Sequence, residues 1–473
     1  MISKTSFIGQ YTQDFESQYL TIKELGSGTY GTVFRVQSIL TRTFFACKKI
    51  NKRKIRNRER FKTEIELLKI TDHPHIVKLF EIWEDHVYLY LIMEELAGGE
   101  FFERLAARAK SHNLYSESEA ARIFKQLMSA LNYLHRHGVS HRDIKPENLI
   151  FESMAEDANL KIIDFGLSKV FDQELRHMSS ILGTSFYMAP EVVKGHYDER
   201  CDVWSAGVIL YIMMCGRPPF YAQSDEKVLK KILEKDYSFD YPEWANVSES
   251  VKNLIKSIFV DQEQRLTAAE VLEHPWLKKD EIDNRSQHRT GLELDWEHIL
   301  SYSKMDKMTK YAISFLGFRM KTEDIKSLTQ IFERLDKHSD GVLTVSNMKE
   351  GLQIAREKNQ LTISDREFAD LFKDIDLDHN GWISYNEFIS ATVEINPKVK
   401  KEHIYELFRN LDDNCNGKLS FEEIVNHIKP KTEEEQENLS KVFAILDKNG
   451  DKDIDFEEFI ASLESLYDNK IVN

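Results

Sequence analysis

His141-Arg142-Asp143-Ile144-Lys145-Pro146-Glu147-Asn148 brings a carboxylate, an ammonium and an amide together within a few residues. In such a run Asp143 can accept a hydroxyl proton, Lys145 can steady a phosphoryl group in transit, and Asn148 can hold magnesium. Downstream, Asp164-Phe165-Gly166 adds a second carboxylate for the metal, and Met188-Ala189-Pro190-Glu191 closes the segment. Upstream, Leu25 leads into Gly26-Ser27-Gly28-Thr29-Tyr30-Gly31-Thr32-Val33, whose glycines let backbone N–H groups approach phosphate oxygens with no Cβ in the way. Ala46-Cys47-Lys48 contributes a strand lysine. Glu64, in a helical pattern further on, can pair with Lys48 and aim its ammonium at the phosphates. Lys49 and Glu66 stand beside that pair and read as surface charges. The glycine run alone would also fit a structural hairpin; the ordered succession of parts assigns it to a nucleotide.

The chain has 473 residues, 41% of them apolar, enough for roughly two to three packed domains. Short β-rich runs such as YLTIKELGSGTYGTVFRV and HVYLYLIMEEL come first, and amphipathic helical patterns dominate from Glu117 onward. That order predicts an α+β arrangement, a small sheet-rich lobe followed by a larger helical one. The charged stretch KKDEIDNRSQHRTG reads as a linker, with a helix expected from about Asp295 to Leu316. The most apolar run, Ala206 to Cys215, is about half the length of a membrane span and reads as a buried core helix. Cys47, Cys201, Cys215 and Cys415 show no CxxC spacing, which argues against a zinc site or a secreted disulfide frame and for a reducing, cytoplasmic setting. The opening MISKTSFIGQ has no apolar signal core, and Ile2 at the second position predicts no N-myristoylation.

About −13 of the net charge of −15 lies from Ile331 onward. That acidic part carries an internal repeat, FERLDKHSDG, FKDIDLDHNG, FRNLDDNCNG and FAILDKNGDK, led by Asp336, Asp376, Asp412 and Asp447. An EF-hand loop needs oxygens at positions 1, 3, 5, 7 and 9, a bidentate glutamate at 12 and a glycine turn at 6. The second loop supplies Asp376, Asp378, Asn380, the Trp382 carbonyl, Ser384 and Glu387 around Gly381. The third supplies Asp412, Asn414, Asn416, the Lys418 carbonyl, Ser420 and Glu423 around Gly417. The fourth offers Asp447, Asn449, Asp451, the Asp453 carbonyl, Asp455 and Glu458, with Lys452 in place of the glycine, a substitution that costs roughly 1–2 kcal/mol in left-handed geometry. The first loop has His338 at position 3 and Asn347 at position 12; a neutral amide cannot give two carboxylate oxygens, so this loop is expected to pack its helices and pair with the second.

From Tyr19 to Leu277 the motifs resemble a eukaryotic protein kinase domain, and the whole chain resembles the calcium-dependent protein kinases of plants, apicomplexans and ciliates. The resemblance implies a bilobal protein kinase fold followed by an all-α EF-hand (calmodulin-like) domain, with ATP, magnesium and calcium as cofactors. Asp202-Val203-Trp204-Ser205-Ala206-Gly207-Val208 resembles the central buried helix of that fold, and Arg265 stands where the family pairs with the glutamate corresponding to Glu191. Lys145 in KPEN and Gly183-Thr184 resemble the serine/threonine branch. Met93 stands at the gatekeeper position, Glu94 to Leu96 would meet adenine through backbone groups, and Glu100 resembles the carboxylate that holds an arginine ahead of the phosphorylated residue. Ile212 replaces a second such acid. Ser179 and Ser180 are candidate autophosphorylation sites, and Thr184 reads as a structural hydroxyl. The implied layout is an N-terminal extension over 1–18, kinase domain over 19–277, junction over 278–327 and calmodulin-like domain over 328–473. Within 295–321, Met305, Met308, Ala312 and Phe315 at helical spacing, with Lys304, Lys307, Lys310, Arg319 and Lys321, suit an autoinhibitory helix released by calcium. The expected partners are protein substrates with basic residues near the target, with no nucleic acid and a monomeric state.

Overall fold

A computed structural model describes residues 4–12, 15–27, 31–55, 58–164, 184–278, 294–357, 363–393 and 401–461. The β-rich opening folds into a sheet of β1 (Gly9–Tyr11), β2 (Tyr19–Ser27), β3 (Gly31–Ser38), β4 (Phe44–Asn51), β5 (Leu79–Glu84) and β6 (Tyr88–Glu94), in the order β1-β5-β6-β4-β3-β2. β2 to β6 pair antiparallel, and β1 adds in parallel to the edge of β5, Gly9 opposite Glu81 and Tyr11 opposite Trp83. The segment read as an extension before residue 19 therefore contributes a strand. Phe7, Tyr11 and Phe15 are buried, because a short strand on a sheet edge is kept only where its side chains find apolar cover. α1 (Arg58–Ile70) crosses between β4 and β5.

The helical lobe comprises α2 (Phe101–Lys110), α3 (Glu117–Arg136), the hairpin β7 (Leu149–Phe151) and β8 (Leu160–Ile162), α4 (Pro190–Lys194), α5 (Arg200–Cys215), α6 (Asp225–Glu234), α7 (Glu249–Ile258) and α8 (Ala268–Leu272). Ser116 and Glu119 form a capping box that starts α3, satisfying two orphan N–H groups at once. The apolar run Ala206 to Cys215 lies within α5 and is buried throughout, as a helix without a polar face must be. Arg265 pairs with Glu191 through both terminal nitrogens, which also donate to the carbonyls of Arg200 and Val260, while its Nε donates to that of Ile258, so its buried charge is neutralised and its donors are used.

The calcium-loop half begins with α9 (Trp296–Ser303) and α10 (Lys307–Arg319), followed by α11 (Lys326–Leu335), α12 (Val345–Glu357), α13 (Asp365–Ile375), α14 (Tyr385–Thr392), α15 (Lys401–Leu411), α16 (Phe421–Ile428) and α17 (Glu433–Leu446). The single helix expected from Asp295 to Leu316 is two helices. Asp306 accepts from Thr309 N at 3.0 Å and so caps a new start, as Asp295 caps the first by accepting from His298 N at 3.0 Å. Two-residue strands β9 (Val342–Leu343) and β10 (Ile383–Ser384) couple loops one and two through Leu343 and Ile383. β11 (Lys418–Ser420) and β12 (Asp453–Asp455) couple loops three and four through Leu419 and Ile454.

α10 is buried along nearly its whole length, from Met308 and Lys310 to Phe318. It packs against α14, α15, α16 and α17. Its far end reaches the sheet-rich lobe, where Phe318 meets Phe80 at 5.3 Å and Phe7 at 6.0 Å between ring centroids. Glu81, fully buried on β5, joins the two halves. Its Oε2 accepts from Tyr19 Oη and Trp83 Nε1, both at 2.8 Å, while Oε1 accepts from Arg319 at 2.8 Å and Arg409 at 2.9 Å. In this arrangement the end of the junction helix lies against β5, through Phe318 on Phe80 and Arg319 on Glu81.

Candidate active site and calcium loops

The catalytic loop is held from below by Asp202, at the start of α5. Its carboxylate accepts from the backbone N–H groups of His141 at 2.8 Å and Arg142 at 2.7 Å and contacts His135 Nε2 at 3.0 Å. Burial alone would raise the Asp202 pKa; the hydrogen bond and charge of His135, with further help from His141 and the Arg142 amide, lower it instead, so it stays an acceptor. On this base, Asn148 Nδ2 donates to the Asp143 carbonyl at 2.8 Å and to its Oδ2 at 3.1 Å, and Lys145 Nζ lies 3.0 Å from the same Oδ2. Asp143, Lys145 and Asn148 thus form one network. Asp202 was read only as part of a core helix; the signal was a lone acid opening an otherwise apolar run.

Val33 lies opposite Lys48, and Ala46 opposite Met93, so these four side chains share one face of the sheet. Lys48 reaches across to an ion pair with Asp164 at the end of β8. The expected partner Glu64 lies on α1, but its side chain falls outside the described residues, as do Gly28, Phe165, Gly166, Ser179, Ser180, Gly183 and the side chain of Thr184. Leu25, Gly26 and Ser27 end β2 on its exposed side, and a Cβ at Gly26 would meet nothing within 4 Å, leaving that backbone open to approach. Gly31 is a glycine for another reason: a Cβ there would sit 2.1 Å from the Lys49 carbonyl. Glu94 turns its carboxylate away from this face, to Lys161 Nζ at 2.8 and 2.9 Å and Lys78 N at 2.7 Å, so only its backbone is left for a base, and Leu96 follows half-buried.

Glu100 is exposed at the start of α2, and its carboxyl is raised by partial burial and by the negative charges of Glu103 and Glu147. Among the described residues, Glu147 Oε2 is buried without a hydrogen-bond partner. An acid in this company favours a cation. Glu147 was visible in the HRDIKPEN run, but its proximity to Glu100 was not. Ile212 is buried.

The calcium loops differ in what their oxygens do. In loop two, carboxylate oxygens of Asp376, Asp378 and Glu387 lie within 4.8 Å of one another. Burial, then the charges of Asp378 and Asp376, push the Glu387 carboxyl up to about 8, the signature of acids gathered with no positive charge between them. This donor set fits a hard divalent cation. Ser384 and Glu387 also form a capping box on α14, and Ser420 and Glu423 form one on α16, so the position-12 glutamate is already aimed by the helix it starts. In loop three the turn residue Gly417 has φ +81, and the Asp412 carboxylate accepts from Asn416 N at 3.1 Å and Gly417 N at 2.8 Å. Asn414 Nδ2 donates to Glu423 at 2.8 Å, and Lys418 N to Asn416 at 2.8 Å. In loop four Lys452 adopts φ +71, the left-handed geometry its position demands, while Asp447 accepts from Lys452 N at 3.0 Å and Glu458 from Asn449 N at 3.0 Å. Asp451 and Asp453 complete that turn through the 3.0 Å bond from Asp453 N to Asp451. Loop two likewise uses Asn380, whose Oδ1 accepts from Trp382 N at 3.0 Å. In loop one Asn347 keeps the capping role only, accepting from Thr344 N at 2.9 Å.

A two-lobed fold with this acid, lysine and amide at its cleft, docked to paired EF-hand loops, defines a protein kinase with a calcium-binding regulatory half. The protein kinase domain family matches residues 19–277, and the EF-hand domain pair family matches 325–393 and 401–464. Calcium-dependent protein kinase 3 of Plasmodium berghei (strain Anka) is 35% identical over 476 residues, covering 98% of this chain and 83% of the relative. Calcium-dependent protein kinase 4 of Plasmodium falciparum (isolate 3D7) is 35% identical over 96% of this chain and 87% of its own length, and calcium-dependent protein kinase 21 of Arabidopsis thaliana is 34% identical over 97% and 85%. The chain belongs to the calcium-dependent protein kinase family: it is an ATP- and magnesium-using serine/threonine kinase of protein substrates, with calcium as the ion of its EF-hands. Among the described residues no helix is long and apolar enough to cross a membrane.

Proposed function

We propose that this kinase is held inactive by its junction and switched on when calcium fills loops two, three and four, with kinase domain 19–277, junction 278–327 and calcium-binding domain 328–473. Asp143 accepts the proton of the substrate hydroxyl, Lys145 steadies the phosphoryl group, Asn148 and Asp164 hold magnesium, and Lys48 orients the ATP phosphates under the glycine-rich strand. Glu100, with Glu147 beside it, takes an Arg or Lys three residues ahead of the target Ser or Thr.

The observation that carries the coupling is Glu81, a carboxylate of the kinase half whose one oxygen is taken by two arginines of the regulatory half, Arg319 and Arg409. Among the described residues, the recess at Asp143 is lined by residues between Arg142 and Ser205 and by none of the junction, which supports reading this docked arrangement as open to substrate. It is the active state in this reading. In the calcium-free state the basic, apolar segment around Met305 to Phe315 leaves β5 for the substrate cleft, and each ion shifts the balance by its differential affinity for the two states. The protein works as a cytoplasmic monomer without nucleic acid. The test is phosphate transfer from ATP to a serine peptide with arginine three residues upstream, titrated with free calcium. Activity should rise from near zero in chelator; full activity in chelator would refute the switch, and a positional peptide library without basic preference would refute the role of Glu100.

A further inference from the structure

We infer that the first EF-hand loop is a docking site for helix α3 of the kinase, with the Arg136 guanidinium paired to Asp340, at the position whose side-chain oxygen the other loops offer to calcium. Asp340, at the fifth position of the loop, is buried and ion-paired with Arg136. Asn132 Nδ2 donates to the carbonyl oxygens of His338 at 3.2 Å and Ser339 at 3.1 Å, and Ser129 Oγ donates to the Ser339 carbonyl at 3.3 Å. Ser129, Asn132, Tyr133 and Arg136 recur at the spacing that puts side chains on one face of a helix, so a single stripe of α3 supplies every one of these partners.

The turn glycine gives an independent indication. A Cβ at Gly341 would lie 2.6 Å from the Tyr133 ring and 2.7 Å from that of His73, whereas one at Gly381 or Gly417 would meet nothing within 4 Å. Loops two and three turn their sixth position to open space; loop one presses it onto the kinase. The substitutions that disable it for calcium are compatible with this use. His338 contributes its backbone carbonyl, and Asn347 retains the helix cap that shapes the loop. The seat on α3 therefore needs no ion of its own, and it forms as part of the docked arrangement that calcium at the other loops favours.

The inference rests on the proposed reading that the docked arrangement is the active one, and full-length variants separate the two. Arg136→Asp and Asn132→Asp should each raise the free calcium at half-maximal activity about three- to tenfold, which with three ions acting together corresponds to about 2–4 kcal/mol of docking. The maximal rate should be unchanged, since neither residue belongs to the catalytic network. Exchanging the pair, Arg136→Asp with Asp340→Arg, should bring the midpoint back to within about twofold of the parent. An unmoved midpoint in both single variants, or a fourth calcium ion bound by the parent in calorimetry, would overturn the inference. Raised activity in chelator would support the contact and overturn instead the assignment of the docked state as active.

Discussion

Glu81→Gln should weaken the union of the two halves more than any other single change of similar size. The side chain is 0% exposed, and its two oxygens face different ways, one to Tyr19 and Trp83, the other to Arg319 and Arg409. Burial would raise its pKa; the charges of Arg409 and Arg319, with hydrogen bonds from Arg319 and Trp83, overcome that and bring it from 4.5 down to about 2. That difference corresponds to about 3 kcal/mol favouring the charged form in the docked state. A glutamine must turn its NH₂ toward one set of donors, so little of this is recovered. Three kilocalories is about a hundredfold in the docking equilibrium, and if three ions drive the transition together the calcium midpoint should rise about fivefold. Because the folded value is depressed, the stabilisation is present above the unfolded value of 4.5 and is lost only as pH falls toward about 2, so this clamp adds no pH dependence near neutrality. Peptide phosphorylation against free calcium reads the effect, with Arg409→Gln as the partner variant cut from the regulatory side. Midpoints unchanged in both variants would show that the Glu81 contact does not report on the switch.

Asp143→Asn should lower kcat about a hundred- to ten-thousandfold while nucleotide binding, followed by fluorescence or calorimetry, is retained. Glu387→Gln or Glu423→Gln should raise the calcium needed for activity and remove one ion each from the binding isotherm, because an amide cannot chelate through two oxygens, whereas His338→Ala should change neither. Phe7 packs on Tyr311 at 5.2 Å and Phe315 at 6.3 Å, and the Tyr311 hydroxyl donates to the Ser6 carbonyl at 2.9 Å. Phe7→Ala should therefore destabilise the docked form by about 3 kcal/mol, read as a lower melting temperature in calcium and a higher calcium midpoint; an unshifted melting curve would mean that the strand before residue 19 is dispensable.

Much of this protein was legible in its sequence because the chemistry works through short, fixed spacings. A phosphoryl-transfer loop needs its acid, lysine and amide within one turn-and-strand segment, and a calcium loop needs oxygens at alternate positions, so HRDIKPEN and three of the four acidic loops state their purpose locally. The α+β order followed from glycine-punctuated strands giving way to helical periodicity, and the burial of α5 from an apolar run too short for a membrane. Tertiary structure alone decided what depends on partners distant in the chain. The sequence of α10 marks an amphipathic basic helix but does not say which surface covers it, and here β5 and the EF-hand helices do. Glu81 in LFEIWE reads as an ordinary strand acid until Arg319 and Arg409 arrive more than two hundred residues later. Residues 4–11 carry too few side chains to specify a strand by themselves; the open edge of β5 and the aromatic face of α10 create one. Loop one shows the same division most clearly. Its substitutions predict a loop that binds no calcium, and only the tertiary structure shows Gly341 and Asp340 packed against α3.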